Sequence, residues 1–135
     1  EEISRKYQSL FLVGAAFNAV VSATLAAPKI FFPLLDIAPI PDEPNIFLDI
    51  ALGAIGIFGV GYFMASQDFP RHSNLIELAV VSKLGVNAVG AVHVFYHQTI
   101  SWQVFFVLFW DLIFAALFIQ ALLDLYAVEK KVKAN

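Results

Sequence analysis

The chain has 135 residues, of which 60% are hydrophobic and 14% are charged, and its formal net charge is −3. Soluble domains carry about a quarter of their residues as charged side chains, so this composition excludes an ordinary soluble domain and indicates a membrane protein. The chain contains no cysteine. Disulfides, thiolate metal sites, iron–sulfur clusters and thiol redox chemistry are therefore excluded.

Four apolar stretches, each close to the roughly 20 residues that cross a bilayer core, predict a single all-α domain over residues 1–135. We expect four transmembrane helices in an antiparallel bundle, with spans at residues 7–27, 46–66, 75–97 and 102–127. The first stretch follows basic residues and ends at Ala26 and Ala27, which is also typical of a signal peptide. Because Pro28 would directly follow the cleavage site, we expect this helix to be retained.

The longest connection, residues 28–45, holds five of the six prolines, so neither neighbouring helix continues through it. Its first half, KIFFPLLDI, is too apolar for a solvated loop. We therefore predict a short interfacial segment lying in the edge of the bilayer. The second half, PIPDEPN, predicts a polar turn before the second span.

Basic residues indicate the orientation in the membrane. Six fall on one side of the predicted bilayer: Arg5, Lys6, Arg71, Lys130, Lys131 and Lys133. Only Lys29 falls on the other side, so we predict that both termini are cytoplasmic. Tyr7, Tyr62 and Tyr126 are expected to mark the inner boundary. The lysines of the tail are expected to lie against anionic lipid head groups, and no nucleic-acid partner is expected.

Four polar side chains from three spans are predicted to lie at one depth. At a rise of about 1.5 Å per residue, Lys83, Asn18 and Asn87 lie about 12, 16 and 18 Å from the cytoplasmic ends of their helices. Asp111 lies about 13 Å from the outer surface, which is nearly the same level in a core about 30 Å thick. A lysine at this depth needs a partner, and Asp111 is the obvious one. The pair either fixes helix register alone or forms a proton or ligand site.

A second polar group is predicted near the outer surface. His93 and His97 are four residues apart on one helical face, and Asp49 of the second span is expected at a similar depth. Two histidines and a carboxylate form a possible site for zinc or another divalent metal. The other interpretation is a pair of titratable histidines at the membrane interface.

Several short motifs resemble those of the small four-helix bacterial inner-membrane proteins grouped as DoxX-like. They are FN at 17–18, GVGYFMAS at 59–66, QDFPR at 67–71, the lysine of the third span and WDLIFAALF at 110–118. The resemblance implies a four-helix fold in the bacterial inner membrane. Some members of that group accompany a quinone-reducing thiosulfate oxidoreductase, and others accompany redox or stress systems. The resemblance assigns no catalytic residue.

Three functions fit these observations. The first is a non-catalytic accessory subunit of a larger membrane complex, holding a lipid or a quinone and contacting other membrane subunits or further copies of itself. The second is a small proton-linked transporter or channel that works as a homo-oligomer through the polar cluster. The third is a quinone-linked oxidoreductase subunit in which Lys83 or a histidine donates a hydrogen bond to a quinone carbonyl.

Overall fold

A computed structural model describes residues 1–37 and 46–134, all of whose regular structure is helical. Its α-helices are α1 (Glu2–Ala26), α2 (Pro28–Phe31), α3 (Ile46–Gln67), α4 (Ser73–Ala91) and α5 (Trp102–Ala134). Three short turns complete it: 3₁₀ helices at Pro33–Leu35 and Pro70–His72, and a π-helix at Val92–His97 that extends α4. Four of the helical stretches are long and apolar enough to cross a membrane. The predicted all-α fold is confirmed, and the chain is a small multi-pass membrane protein.

Two of the long helices extend beyond the predicted spans. α1 begins at Glu2 rather than at residue 7, since an acidic residue in the first turn is favourable beside the positive end of the helix dipole. α5 continues to Ala134 rather than ending at residue 127, because the tail contains no glycine or proline to stop it. Lys131 and Lys133 in its last turn also complement the dipole.

The segment after α1 is short and irregular, as its prolines require. α2 and the turn Pro33–Leu35 each begin with a proline, and Phe32 between them is buried. The Ser101 hydroxyl donates a hydrogen bond to the Leu35 carbonyl at 2.6 Å, so this segment lies against the start of α5. The predicted polar turn PIPDEPN, residues 39–45, lies wholly outside the described residues.

The four long helices form two closely packed pairs, α1 with α3 and α4 with α5. In the first pair, a Cβ placed on Gly59 would lie 3.3 Å from the Asn18 Cβ. The absent side chain of Gly59 therefore lets α1 approach α3 closely. Gly53 lies earlier in the same helix, and a Cβ placed on it would meet no atom of a neighbouring helix within 4 Å among residues 1–37 and 46–134. A Cβ on Gly56, between these two positions, would lie at an ordinary contact distance of 3.7 Å from the Ser22 Oγ of α1.

Burial divides the bundle into two halves. The terminal half holds the ends of the four helices nearest the chain termini, from Asn18, Gly59, Lys83 and Phe114 outward, and the distal half holds the rest. Nearly every buried residue of the long helices lies in the terminal half, and among the described residues of these four helices only Gly90 is buried in the distal half. The two helix pairs therefore bury each other only in the terminal half.

Interlocked aromatic rings fill the terminal half. Phe11, Phe69 and Phe118 are fully buried. The Phe11 ring lies 4.8 Å from that of Phe69 and 5.5 Å from that of Phe118, measured between centroids. These tilted arrangements are favourable for aromatic quadrupoles and leave few voids. The rings come from α1, from the loop after α3 and from α5, so they join both helix pairs.

Polar contacts at the surface of the terminal half join α5 to α1 and α4. The Asp124 carboxylate of α5 accepts hydrogen bonds from Lys6 and Tyr7 of α1 and from Gln120 at 2.9 Å. Near the same end of α5, the Tyr126 hydroxyl donates to Glu77 of α4. α5 is therefore tied to one helix of each pair.

Candidate functional site

The Lys83 ammonium of α4 donates a hydrogen bond to the Asp111 carboxylate of α5, forming an ion pair inside the bundle. The Lys83 side chain is 6% exposed and that of Asp111 is 21% exposed. The antiparallel packing of α4 against α5 brings the two together at the level where the terminal half ends. Since an unpaired ion is costly in lipid, each charge is held there by the other.

Three aromatic rings surround the Lys83 ammonium. Its nitrogen lies 6.0, 5.5 and 5.6 Å from the ring centroids of Phe17, Tyr62 and Phe114, respectively. Ring faces attract a cation at such distances, and the attraction strengthens where water is excluded. These rings come from α1, α3 and α5, so every long helix contributes to the surroundings of this ion pair.

Tyr62 corrects one sequence prediction. The sequence predicts it at the inner membrane boundary, but it is only 2% exposed and its ring packs edge-on against Phe118 at 5.0 Å. Its ring centroid lies 5.5 Å from the Lys83 ammonium nitrogen. A tyrosine a few residues from the end of a span is consistent with either location, and only the rotation of α3 about its axis decides between them.

Asn18 approaches the same site from α1. Its amide donates a hydrogen bond to the Ile55 carbonyl of α3 at 3.0 Å, and the residue is buried. Asn87 behaves differently, because its amide donates to the Lys83 carbonyl of its own helix at 2.9 Å. The structure thus brings Asn18, Lys83 and Asp111 around one space, whereas the Asn87 amide bonds back along α4.

A cavity of about 140 Å³ lies between the two helix pairs at this level. Its polar wall is formed by Asn18, Tyr62, Ser82, Lys83 and Asp111, and its apolar wall includes Phe58, Val86, Val107 and Leu108. Sites that enclose a whole drug-sized ligand usually measure about 300–1,000 Å³. A water molecule takes about 30 Å³ of liquid. This cavity therefore has room for a small polar head group or a few waters, but not for a complete lipid.

The described residues do not bring His93, His97 and Asp49 together as a three-ligand metal site. Within residues 1–37 and 46–134, no group of three or more His, Asp or Glu side chains is placed to hold a metal ion. The two imidazole rings do lie near each other, at 5.3 Å between centroids, but His93 Nδ1 is hydrogen-bonded to the Thr99 hydroxyl at 2.7 Å. Asp49 belongs to α3, which packs mainly against α1 rather than against α4.

Comparison of the chain with protein-family models, with curated proteins and with solved structures gives no match.

Proposed function

We propose that this protein is a non-catalytic accessory subunit of a larger bacterial inner-membrane complex, and that it holds the head group of a lipid or quinone in the cavity beside Lys83 and Asp111. The observation that carries the proposal is the cavity itself. It lies between the two helix pairs, within the apolar part of the bundle, and an ammonium and a carboxylate form part of its wall.

The donors of the cavity favour binding an oxygen-bearing head group. An ammonium has three N–H donors. Asp111 accepts one hydrogen bond from the Lys83 ammonium, and three aromatic ring centroids lie between 5.5 and 6.0 Å from its nitrogen. A carbonyl or hydroxyl oxygen entering the cavity gains a charge-assisted hydrogen bond, which is stronger than one between neutral groups. Both quinones and glycerolipids carry such oxygens.

The resemblance to DoxX-like proteins and the cytoplasmic placement of both termini belong to this proposal. Six of the basic residues outside the spans would then face the cytoplasm, in keeping with the positive-inside rule. The distal half of the bundle would face the outer leaflet. A partner subunit would contact the lipid-facing surfaces of the helices, where many large apolar side chains such as Ile57, Val81 and Val89 are exposed.

The test is to excise the protein from native membranes with an amphipathic copolymer and to quantify the lipids, quinones and protein subunits that accompany it. We expect one lipid or quinone class to be enriched over bulk membrane, together with at least one further membrane protein. In the double variant Lys83→Met/Asp111→Leu, which removes both charges while keeping apolar bulk, that enrichment should fall at least fivefold.

The chain offers a matched control for this experiment. Lys6→Met/Asp124→Leu also removes a lysine–aspartate pair between helices, but outside the cavity. It should keep the enriched molecule. Equal enrichment in wild type and in Lys83→Met/Asp111→Leu would contradict the proposal, as would a preparation with neither an enriched molecule nor a partner.

A proton-linked transporter is the second candidate, and one observation favours it. The Lys83–Asp111 pair lines a cavity that also holds the Ser82 and Asn18 side chains, so ionisable and hydrogen-bonding groups adjoin one space within the membrane. Proton flux into liposomes should then be abolished by Asp111→Asn. Equal background fluxes for wild type and Asp111→Asn would exclude this function.

A further inference from the structure

The cavity is closed toward the terminal half. The Lys83–Asp111 pair lies at its base, and the fully buried rings of Phe11, Phe69 and Phe118 fill the bundle beyond it. The Phe118 ring also contacts Tyr62, which lines the cavity. Because these rings interlock between both helix pairs, the described residues leave no route to the cavity from the side of the chain termini.

On the distal side a second, wider space shares one wall residue with the cavity. Val107 of α5 lines both the cavity and a wider groove of about 700 Å³. The other walls of that groove include Phe106, Leu35, Asp36 and Ser101, which lie where the interfacial segment meets the start of α5. Val107 is therefore the residue that forms part of the wall of both the cavity and the distal groove.

The cavity wall is electrically balanced. Lys83 and Asp111 contribute one charge of each sign, and the remaining polar lining residues are neutral. Among the described residues, no buried side-chain nitrogen or oxygen lacks a hydrogen-bond partner. A charged head group would add a net charge to this low-dielectric space, and burying an uncompensated charge is costly. A neutral head group avoids that penalty and still gains a bond from the Lys83 ammonium.

We infer that the cavity selects an electrically neutral amphiphile whose head carries a carbonyl or hydroxyl oxygen, and that this molecule enters from the distal leaflet past Val107. The inference rests on the proposed function and adds the charge class of the ligand and its direction of entry. The head fills the small cavity, and the alkyl chain lies along the distal groove, because the cavity is too small to hold both.

The test uses photoreactive alkyl probes of equal chain length in nanodiscs of neutral phospholipid. Two probes are neutral, an alkylbenzoquinone and a long-chain alcohol; one is an alkyl sulfonate and one an alkyltrimethylammonium, whose charges are permanent. After illumination, mass spectrometry locates the labelled peptides. We expect at least one neutral probe to label the peptides around Lys83 and Val107 at least fivefold more than either charged probe. The stronger of the two neutral probes identifies the head-group class.

The entrance is tested with substitutions at one position. Val107→Trp should reduce labelling around Lys83 at least fivefold, and Val107→Ala should leave it equal or higher, so that the pair distinguishes blockage from damage to the fold. Val89→Trp is the control, because Val89 is 60% exposed and also lies in the distal half, outside both lining sets. It should label as wild type does.

The labelling experiments test the charge selection, the entrance and the binding site separately. Labelling by the sulfonate or the ammonium probe as strong as by the neutral probes would overturn the charge selection while leaving binding at the site intact. Labelling of Val107→Trp equal to that of Val89→Trp would overturn the entrance. If no probe labels the residues around Lys83 in any variant, the proposed function itself fails.

Discussion

The terminal and distal halves are made from the same four helices, yet they pack differently. In the terminal half, rings such as Phe11 and Phe118 interlock and polar bonds to Asp124 join α1 to α5. In the distal half each helix pair stays together, with the Ser22 hydroxyl 3.5 Å from the Leu52 carbonyl and the Phe95 and Phe105 rings 6.2 Å apart. The two pairs, however, bury almost nothing between them. The difference shows what holds helices together in lipid.

Lipid tails are as apolar as leucine, so the hydrophobic effect does not press transmembrane helices together. Close contact must come from interlocking shapes, small residues and hydrogen bonds. Where the sequence supplies these, as around Gly59 and Asn18, the bundle closes. In the distal half, large side chains such as Phe106 and Val89 are exposed instead, and a space remains between the pairs. The Lys83–Asp111 pair lies at the boundary between the closely packed terminal half and the loosely packed distal half.

The largest effect is expected from breaking the ion pair on one side only. Lys83→Met leaves the Asp111 carboxylate without its partner, and removing one member of a buried pair costs about 3–5 kcal/mol. The free energy of unfolding, measured by denaturant titration in mixed micelles, should fall by that amount. Lys83→Met/Asp111→Leu should recover most of the loss. A single variant as stable as the double one would show that the pair is not buried at the junction of the two halves.

The next largest effect compares aromatic residues of the two halves. Phe118→Ala removes a fully buried ring and should cost roughly 2–3 kcal/mol, less than in a soluble core because no transfer from water is lost. Phe106→Ala removes a ring that is 60% exposed in the distal half and should change stability by less than about 0.5 kcal/mol. The same unfolding titration checks both, and equal losses would mean that the halves do not differ in packing.

A smaller effect is expected from the glycines of α3. A Cβ on Gly59 would crowd the Asn18 Cβ at 3.3 Å, so Gly59→Ala should separate α1 from α3 and lose about 1 kcal/mol. Gly53→Ala meets nothing within 4 Å and should be neutral or stabilising, by up to about 1 kcal/mol, since alanine favours the helix. Thermal unfolding should show a stability change of opposite sign for the two variants, which would support the difference between the terminal and distal halves. A stabilising Gly59→Ala would contradict it.

The smallest effect is expected at the surface of the terminal half. Asp124→Asn weakens the bonds from Lys6 and Tyr7, and both Lys6 and Asp124 are accessible to water. Exposed ion pairs contribute little and are screened by salt. The midpoint of thermal unfolding should therefore fall less than in any destabilised variant above, and the difference should shrink further at high salt. If the midpoint falls as much as in Phe118→Ala, then these surface hydrogen bonds, and not the aromatic rings, contribute most to the packing of the terminal half.

The amino-acid sequence alone predicts the four spans and the depth of the polar side chains, because the length of an apolar run indicates a span and the rise per residue gives the depth. Depth and the neighbouring helix together are enough to predict that Lys83 contacts Asp111. Depth does not give rotation about the helix axis or the choice of neighbour. For that reason the sequence predicts Asn87 in the cluster, Tyr62 at the boundary, and Asp49 beside histidines of a helix that α3 does not closely accompany.

The length of α5 has a consequence outside the bilayer. Its 33 residues extend about 50 Å at 1.5 Å per residue, against a hydrocarbon core of about 30 Å. Because α5 begins at Trp102 on the distal side, about 20 Å of helix extends beyond the lipid tails at the other end, and it bears Lys130, Lys131 and Lys133. The last turns of α5 can therefore contact anionic head groups without any part of the helix leaving the bundle.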